Sequence, residues 1–279
     1  MELHAHLFGC LRRCTYEEFT GLPHAPARDL EDCFRMFTAV ERVVTTDRLR
    51  RIVRECLDDF QSMGCKYLEL RTTPKQLVDG LPDDEYVQVV TRILKEHPLH
   101  CTLILSVNRT RSVDAACRTL SLAERYRPLV VGLEFSGDPR GPPFSQFASV
   151  FSRAREQGLK VSCHLGEVLP NDADSILEFL PDRVGHAIYL TARQQKVLAD
   201  NRIPVEICLS SNMVTTGRSL EELEHVKALH ALGVPLVFCT DDPLLFGCTL
   251  SSELALAERL LGPLDLEEYA ECVKCSAFA

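Results

Sequence analysis

The opening segment of the chain carries two histidines, His4 and His6, separated by one residue within an apolar stretch. In an extended strand, side chains two positions apart point to the same face, so both imidazoles can approach one metal ion. Imidazole is a common ligand of zinc, copper, iron and nickel. A catalytic zinc site usually needs three protein ligands and an open position for water. An isolated His-x-His pair is also common without any metal, so the rest of the chain must supply further ligands.

Further candidate residues follow three apolar segments later in the chain. His164 ends one such segment, and Glu167 follows it closely. His186 ends a second segment, and Asp241 and Asp242 follow a third. Each residue also has an ordinary structural explanation, as a buried histidine, a solvated glutamate or aspartates that cap a helix. Joint placement at one end of the fold would favour a catalytic site instead.

The segments that position these residues alternate between short apolar strands and helices. After an opening strand that ends at His6, the pattern predicts strands over residues 66–71, 101–107, 129–135, 160–164, 183–186, 204–209 and 235–239. Helical sequence after each strand implies parallel strands joined by right-handed crossovers. Eight such units predict a (β/α)8 TIM barrel that forms one domain over residues 1–279. A doubly wound open sheet is the main alternative, and the stretch up to Asp29 is predicted to be irregular because glycine and prolines interrupt it.

A barrel places its active site at the C-terminal ends of the strands. Almost every candidate metal ligand or acid–base residue in the predicted strands falls at this end, whereas polar core groups without a function would be scattered over both ends. The polar loops after strands two, three, four and seven reach the same rim, at residues 72–75, 108–111, 136–138 and 210–212.

The composition argues against several other classes of protein. A net charge of −9 and a pI of about 5.5 argue against a nucleic-acid-binding surface. No run of 18 apolar residues indicates a membrane span, and no N-terminal pattern indicates a secretory signal. Thirteen scattered cysteines fit the reduced thiols of a cytoplasmic enzyme. Cys272 and Cys275 form a Cys-x-x-Cys motif without a second pair, which we interpret as incidental.

Four motifs, in chain order, resemble those of the adenosine and AMP deaminase family. They are His4-Ala-His6, Cys163-His164-Leu-Gly-Glu167, Gly185-His186 and Cys239-Thr-Asp241-Asp242. The resemblance extends over the whole chain and implies a TIM barrel of the metal-dependent hydrolase type. Residues 69–75 and 132–139 are similar to the adenosine deaminase-like branch of that family, which acts on N(6)-methyl-AMP and related 6-substituted purine monophosphates. The expected reaction is therefore zinc-dependent hydrolysis of N(6)-methyl-AMP to IMP and methylamine.

The resemblance also implies roles for individual residues. Glu167 would protonate N1 of the purine and carry protons to the leaving amine, and His186 would orient the attacking hydroxide. Asp242 would accept a hydrogen bond from the attacking water or from N7. One zinc ion per chain would be bound by His4, His6, His164 and Asp241. The substrate would be contacted by His6, Thr72, Thr73, Pro74, Lys75, Gly137 and Asp242.

Recognition of the phosphate is a separate hypothesis. The basic residues near strands two to four are Arg71, Lys75, Arg109, Arg111 and Arg140. Their charge fits a phosphate site or a solvated rim equally, and the resemblance favours contact of Lys75 with the 5′-phosphate. Two positions depart from the family pattern. Phe8 stands where a polar residue usually contacts the sugar, and Glu41 stands where that branch tends to carry histidine, so a carboxylate would repel a nearby phosphate.

Two other functions remain open on these residues: a nucleoside deaminase acting on adenosine itself, and a catalytically impaired paralogue that binds nucleotide or a partner. The His-x-Glu and Pro-Cys-x-x-Cys signature of cytidine-type zinc deaminases is absent. Strand four lacks the lysine that bridges two metals in binuclear hydrolases, so one metal is expected. We expect a monomer. Family members extend further at both ends, so we also expect a truncated barrel with a less covered floor and reduced stability.

Overall fold

The computed structural model describes residues 1–168 and 172–278 and shows a parallel β-barrel surrounded by helices. In these residues, eight strands follow one another around the barrel in sequence order, and each neighbouring pair is parallel. They are β1 (Glu2–His6), β2 (Tyr67–Thr72), β3 (His100–Asn108), β4 (Val130–Ser136), β5 (Lys160–Leu165), β6 (Arg183–His186), β7 (Val205–Ile207) and β8 (Leu236–Phe238). A parallel bridge between Ala5 and Asp241 joins the end of the last strand to the first. The predicted (β/α)8 barrel is confirmed.

Helices connect and cover the strands. In the described part of the chain they are α1 (Arg13–Thr20), α2 (Leu30–Glu41), α3 (Thr46–Ser62), α4 (Asp83–Glu96), α5 (Val113–Arg125), α6 (Ala148–Glu156), α7 (Ala173–Phe179), α8 (Ala192–Asp200), α9 (Leu209–Thr216), α10 (Glu224–Ala231), α11 (Pro243–Phe246), α12 (Leu250–Leu261) and α13 (Leu266–Ser276), with 3₁₀ turns at Leu7–Gly9, Phe144–Gln146 and Leu220–Glu222. Helix α3 begins where the Thr45 side chain accepts a hydrogen bond from the Arg48 N–H. Its buried residues, such as Leu49, Val53 and Phe60, lie at helical spacing and pack against the barrel. No helix in the described ranges is long and apolar enough to cross a membrane.

Two predictions of local structure were wrong. The stretch up to Asp29 contains α1, which ends at Gly21 with φ +68°. The strand predicted to reach Leu209 ends at Ile207, and α9 begins at Leu209. The serines and asparagine that suggested a loop there form the first turns of α9. The Glu253 carboxylate of α12 accepts hydrogen bonds from the Leu209 and Ser210 N–H groups at the start of that helix, which otherwise lack partners.

The interior of the barrel differs from its apolar outer layer. Aliphatic residues fill the space between strands and helices, among them Leu68, Leu70, Leu103, Leu105 and Val161. The inside instead holds fully buried charged residues: Glu69, Arg71, Glu134, Arg183 and Glu206. At the N-terminal end of the barrel, the Phe278 ring lies 3.8 Å from the Arg183 guanidinium, so the segment after α13 covers that end. Buried charges need partners, and these five residues pair with one another beneath the predicted metal ligands.

Candidate active site

The ends of β1 and β5 and the loop after β8 bring the four predicted metal ligands together. The Nε2 atoms of His4 and His6 lie 3.2 Å apart, and each lies 3.4 Å from Asp241 Oδ1. The ring centroid of His164 lies 4.9 Å from that of His4 and 5.3 Å from that of His6. Three imidazoles and one carboxylate at this spacing form a donor set suited to a zinc-type cation.

Backbone conformation and hydrogen bonds fix Asp241 at this point. The Asp241 N–H donates to His4 O at 2.8 Å, and the His6 N–H donates to Asp241 O at 3.0 Å. Asp241 has φ +60°, and His186 and Ala187 have φ +62° and +55°. Positive φ in residues other than glycine costs on the order of 1–3 kcal/mol and is concentrated at functional sites. The fold therefore maintains local strain in two of the loops that carry candidate site residues.

One buried carboxylate orients His4 from below, and a second lies close to His164 without a hydrogen bond to it. His4 Nδ1 lies 2.6 Å from Glu206 Oε2, which leaves His4 Nε2 facing the cluster. His164 Nδ1 lies 3.3 Å from Glu134 Oε1. Arg71 contacts both glutamates and donates to Leu3 O at 2.8 Å. Burial alone would raise the pKa of Glu206, but the charges of Arg71 and Arg183 outweigh it and hold that pKa well below its usual range.

A cavity of about 300 Å³ opens in front of this cluster. Its wall includes an apolar face of α2, formed by Leu30, Cys33, Phe34 and Phe37. Nine of the predicted site residues line it: His6, Thr72, Thr73, Lys75, Gly137, His164, Glu167, Asp241 and Asp242. His4 and His186 are fully buried behind its wall, and Pro74 lies outside its lining. The cavity has the size and mixed lining of a small-molecule site.

Two acids at the cavity hold their protons more tightly than usual. Burial raises the pKa of Glu167. Burial also raises the pKa of Asp242 well above its usual range, and the adjacent Asp241 carboxylate adds to the rise. Asp242 Oδ1 and His186 Nε2 are buried and have no hydrogen-bond partner among the described residues. Buried polar atoms of this kind are expected to meet a ligand, so both are poised to contact a substrate or water.

His186 belongs to a hydrogen-bonded chain that sequence reasoning did not assign. His186 Nδ1 lies 3.1 Å from Asn212 Oδ1, so Nδ1 donates and Nε2 is left to face the cluster. Asn212 Nδ2 lies 3.1 Å from His225 Nε2, and burial lowers the pKa of His225 to about 3, which keeps this imidazole a neutral acceptor. Asn212 was visible only as a polar residue after strand seven, and His225 lies in α10 without any motif.

The basic residues considered for phosphate binding all have protein partners. Arg71 is fully buried between two glutamates and is not available to a phosphate. Arg109 pairs with Asp172 and Arg140 with Asp138, while Arg111 donates to Pro74 O at 2.8 Å. Lys75 lines the cavity and contacts Glu41. Burial between the two glutamates therefore excludes Arg71 from a phosphate site, whereas a phosphate contact by the other four basic residues stays a prediction.

Substituting Gly9 with alanine is expected to lower kcat/KM by about 10²-fold, the effect of misplacing a reactive group by about 1 Å. A Cβ atom at Gly9 would lie 1.8 Å from Asp242 Oδ1, so the carboxylate must move. The metal content should stay unchanged, because the clash is not with a proposed ligand. Steady-state kinetics and metal analysis test this. Gly21→Ala, at a glycine with φ +68° and nothing within 4 Å of its added Cβ, is the control for backbone strain away from the cavity; equal activity losses in both variants would contradict the prediction.

Glu253 is expected to make stability depend on pH. It is buried in α12, accepts a hydrogen bond from the Leu209 N–H at 2.7 Å, and burial raises its pKa to about 7 from 4.5. Between these two values the folded protein binds more protons than the unfolded chain. Stability should therefore fall as pH rises from about 4.5 to 7, by up to about 3 kcal/mol. Urea unfolding at pH 5 and pH 8 tests this, and an undiminished dependence in Glu253→Gln would contradict it.

Comparisons with known proteins cover nearly the whole chain. Residues 15–277 match the family model described as adenosine deaminase. The N6-mAMP deaminase of Arabidopsis thaliana is 32% identical, over 97% of this chain and 89% of its own length. The adenosine deaminase-like protein of Drosophila melanogaster is 34% identical, over 94% of this chain and 85% of its own length. Among solved structures, the ADAL–IMP complex superposes with a TM-score of 0.93 at 32% identity, over 100% of this chain and 92% of that chain. A complex of arabidopsis ADAL with GMP gives the same TM-score, identity and coverage.

Proposed function

This chain belongs to the adenosine deaminase family and is a hydrolytic deaminase, and we propose that it converts N(6)-methyl-AMP to IMP and methylamine. The observation that carries the proposal is the meeting of His4, His6, His164 and Asp241 beside a cavity of about 300 Å³. Glu167 lines the same cavity. Relatives named N6-mAMP deaminase or N6-Methyl-AMP deaminase support the choice of substrate, as do similar structures holding IMP and GMP.

The proposed cofactor is one zinc ion per chain, with His4, His6, His164 and Asp241 as its ligands. A zinc ion bound there would supply Lewis-acid activation of water at neutral pH. His186 and Glu134 also lie close enough to be considered as ligands. Glu134 is a poor choice, because Arg71 and Ser106 already occupy its two oxygens. His186 is held by Asn212 and is better placed to orient the attacking water through its unpaired Nε2.

Glu167 is the proposed general acid: it would give its proton to N1 of the purine, regain one from the hydroxyl group added at C6 and pass that proton to the leaving amine. Its raised pKa supports this role, since a carboxyl group that keeps its proton nearer to neutral pH is a better acid catalyst. Asp242 would bind the attacking water or N7 of the ring. The backbone at Gly137 would approach the purine edge. Two observations require glycine at this position: its φ is +96°, and an added Cβ would lie 2.3 Å from Asn108 Oδ1.

Thr72, Thr73 and Lys75 would hold the ribose and 5′-phosphate end of the substrate, with Lys75 as the phosphate ligand. His6 would add a contact from the side of the metal. Pro74 is proposed to shape this loop rather than to touch the substrate, because it does not line the cavity. The purine would then lie between the proposed metal ligands and the apolar face of α2.

Metal analysis combined with deamination assays on N(6)-methyl-AMP, AMP and adenosine tests the function. We expect about one zinc per chain and the highest kcat/KM on N(6)-methyl-AMP. A higher kcat/KM on adenosine would instead establish a nucleoside deaminase. Bound zinc without turnover of any of the three substrates would contradict the proposed activity and favour a nucleotide-binding paralogue.

A further inference from the structure

An ion pair lies in the wall of the cavity, between Lys75 and Glu41, the last residue of α2. The other charged residues of the lining are acidic except for Arg71. Arg71 is committed to two buried glutamates. Lys75 is therefore the one cation among the described lining residues that a substrate anion can approach, and a carboxylate already occupies it.

The two side chains of this ion pair differ in exposure to solvent and in the number of their contacts. The Lys75 ammonium lies 4.4 Å from the centre of the Phe8 ring, a cation–π contact that holds it from below. Its side chain is 13% exposed, whereas that of Glu41 is 44% exposed. Glu41 has no second hydrogen-bond partner among the described residues, so only the contact with Lys75 keeps its carboxylate from turning towards solvent. An anion that reaches Lys75 must displace Glu41 or lie beside a like charge.

We propose that Glu41 is a specificity-determining residue that competes with the substrate phosphate for Lys75. The inference rests on the proposed function, because it takes a purine nucleotide as the ligand. A nucleoside brings no phosphate and leaves the ion pair intact. The preference for nucleotide over nucleoside is therefore weaker than it would be if Lys75 had no carboxylate partner. The Lys75–Glu41 pair thus sets the ratio of activity on the nucleotide to activity on the nucleoside.

The test measures the ratio of kcat/KM for N(6)-methyl-AMP to that for N(6)-methyladenosine in the zinc-loaded full chain. Glu41→Gln removes the carboxylate that competes for Lys75 and should raise the ratio about tenfold, the low end of the coupling between close charge pairs at a binding site. Lys75→Met should lower the ratio. In the Lys75→Met background, Glu41→Gln should no longer change it, since coupled residues give non-additive effects.

Glu31→Gln provides the matched control, because Glu31 is an exposed acid on the same helix that does not line the cavity. It should leave the ratio as it is in the parent protein. The proposal is overturned if Glu41→Gln leaves the ratio unchanged or lowers it. It is also overturned if Glu41→Gln raises the ratio equally with and without Lys75, or if Glu31→Gln raises it to the same extent.

A binding measurement separates this inference from the proposed function. Calorimetric titration of IMP and inosine into the same zinc-loaded variants reports the affinity ratio without any turnover. Loss of deaminase activity in the parent protein would refute the proposed function but leave this ratio measurable. A tenfold rise in the IMP-to-inosine affinity ratio in Glu41→Gln, absent in the Lys75→Met background, supports the inference independently of catalysis.

Discussion

Glu167→Gln is expected to lower kcat by about 10²–10⁴-fold, the usual contribution of a positioned general acid. Glutamine keeps the size and the hydrogen-bonding capacity of the side chain but cannot give or take the proton. Glu167 lines the cavity directly after β5, and burial raises its pKa, so the parent carboxyl is suited to proton transfer. Because Glu167 is not one of the proposed metal ligands, we expect the metal content to stay at the parent level.

Steady-state kinetics on N(6)-methyl-AMP and metal analysis of the same samples measure both quantities. Glu178→Gln, at an exposed acid on the nearby α7, is the matched control and should retain parent activity. A loss in kcat below tenfold for Glu167→Gln would assign the proton transfer to another group. A parallel loss of metal would show that Glu167 acts as a ligand instead.

Arg71→Met is expected to destabilise the fold by about 3–5 kcal/mol, the usual cost of leaving a buried charge unpaired. Arg71 is fully buried and contacts Glu134 and Glu206, the two carboxylates beneath His164 and His4. Without the guanidinium, both glutamates lose a partner in the barrel interior. Affinity for the metal should fall about 10–100-fold, since Glu206 orients His4 and Glu134 lies 3.3 Å from His164.

Urea unfolding and competition with a chelator measure the two effects of Arg71→Met. Arg92→Met is the control, because Arg92 forms an exposed pair with Glu96 at 3.0 Å and such pairs contribute little. Unchanged stability in Arg71→Met would mean that water or Arg183 compensates for the lost charge. Unchanged metal affinity together with reduced stability would restrict Arg71 to a structural role.

The sequence by itself determined the architecture, because the signals that specify it are local. The strand predicted over residues 183–186 has those bounds in the structure, and α4 is one of the helices predicted to follow each strand. Acidic residues in the first turn of α4 and apolar residues at helical spacing mark that helix without reference to the rest of the chain. Once eight parallel strands close into a barrel, motifs at their C-terminal ends must meet. The convergence of His4, His6, His164 and Asp241 follows from that geometry, while their role as metal ligands stays a prediction.

Only the tertiary structure decided which charged residues face the cavity and which lie inside the barrel. Arg71 and Lys75 lie four positions apart around the end of β2, yet one is buried between glutamates from β4 and β7 and the other reaches the substrate cavity. The start of α9 likewise depends on Glu253, which lies 44 positions after Leu209. Partners of this kind are brought together by folding and leave no periodic signal in the chain, because each contact joins residues whose spacing in sequence is arbitrary.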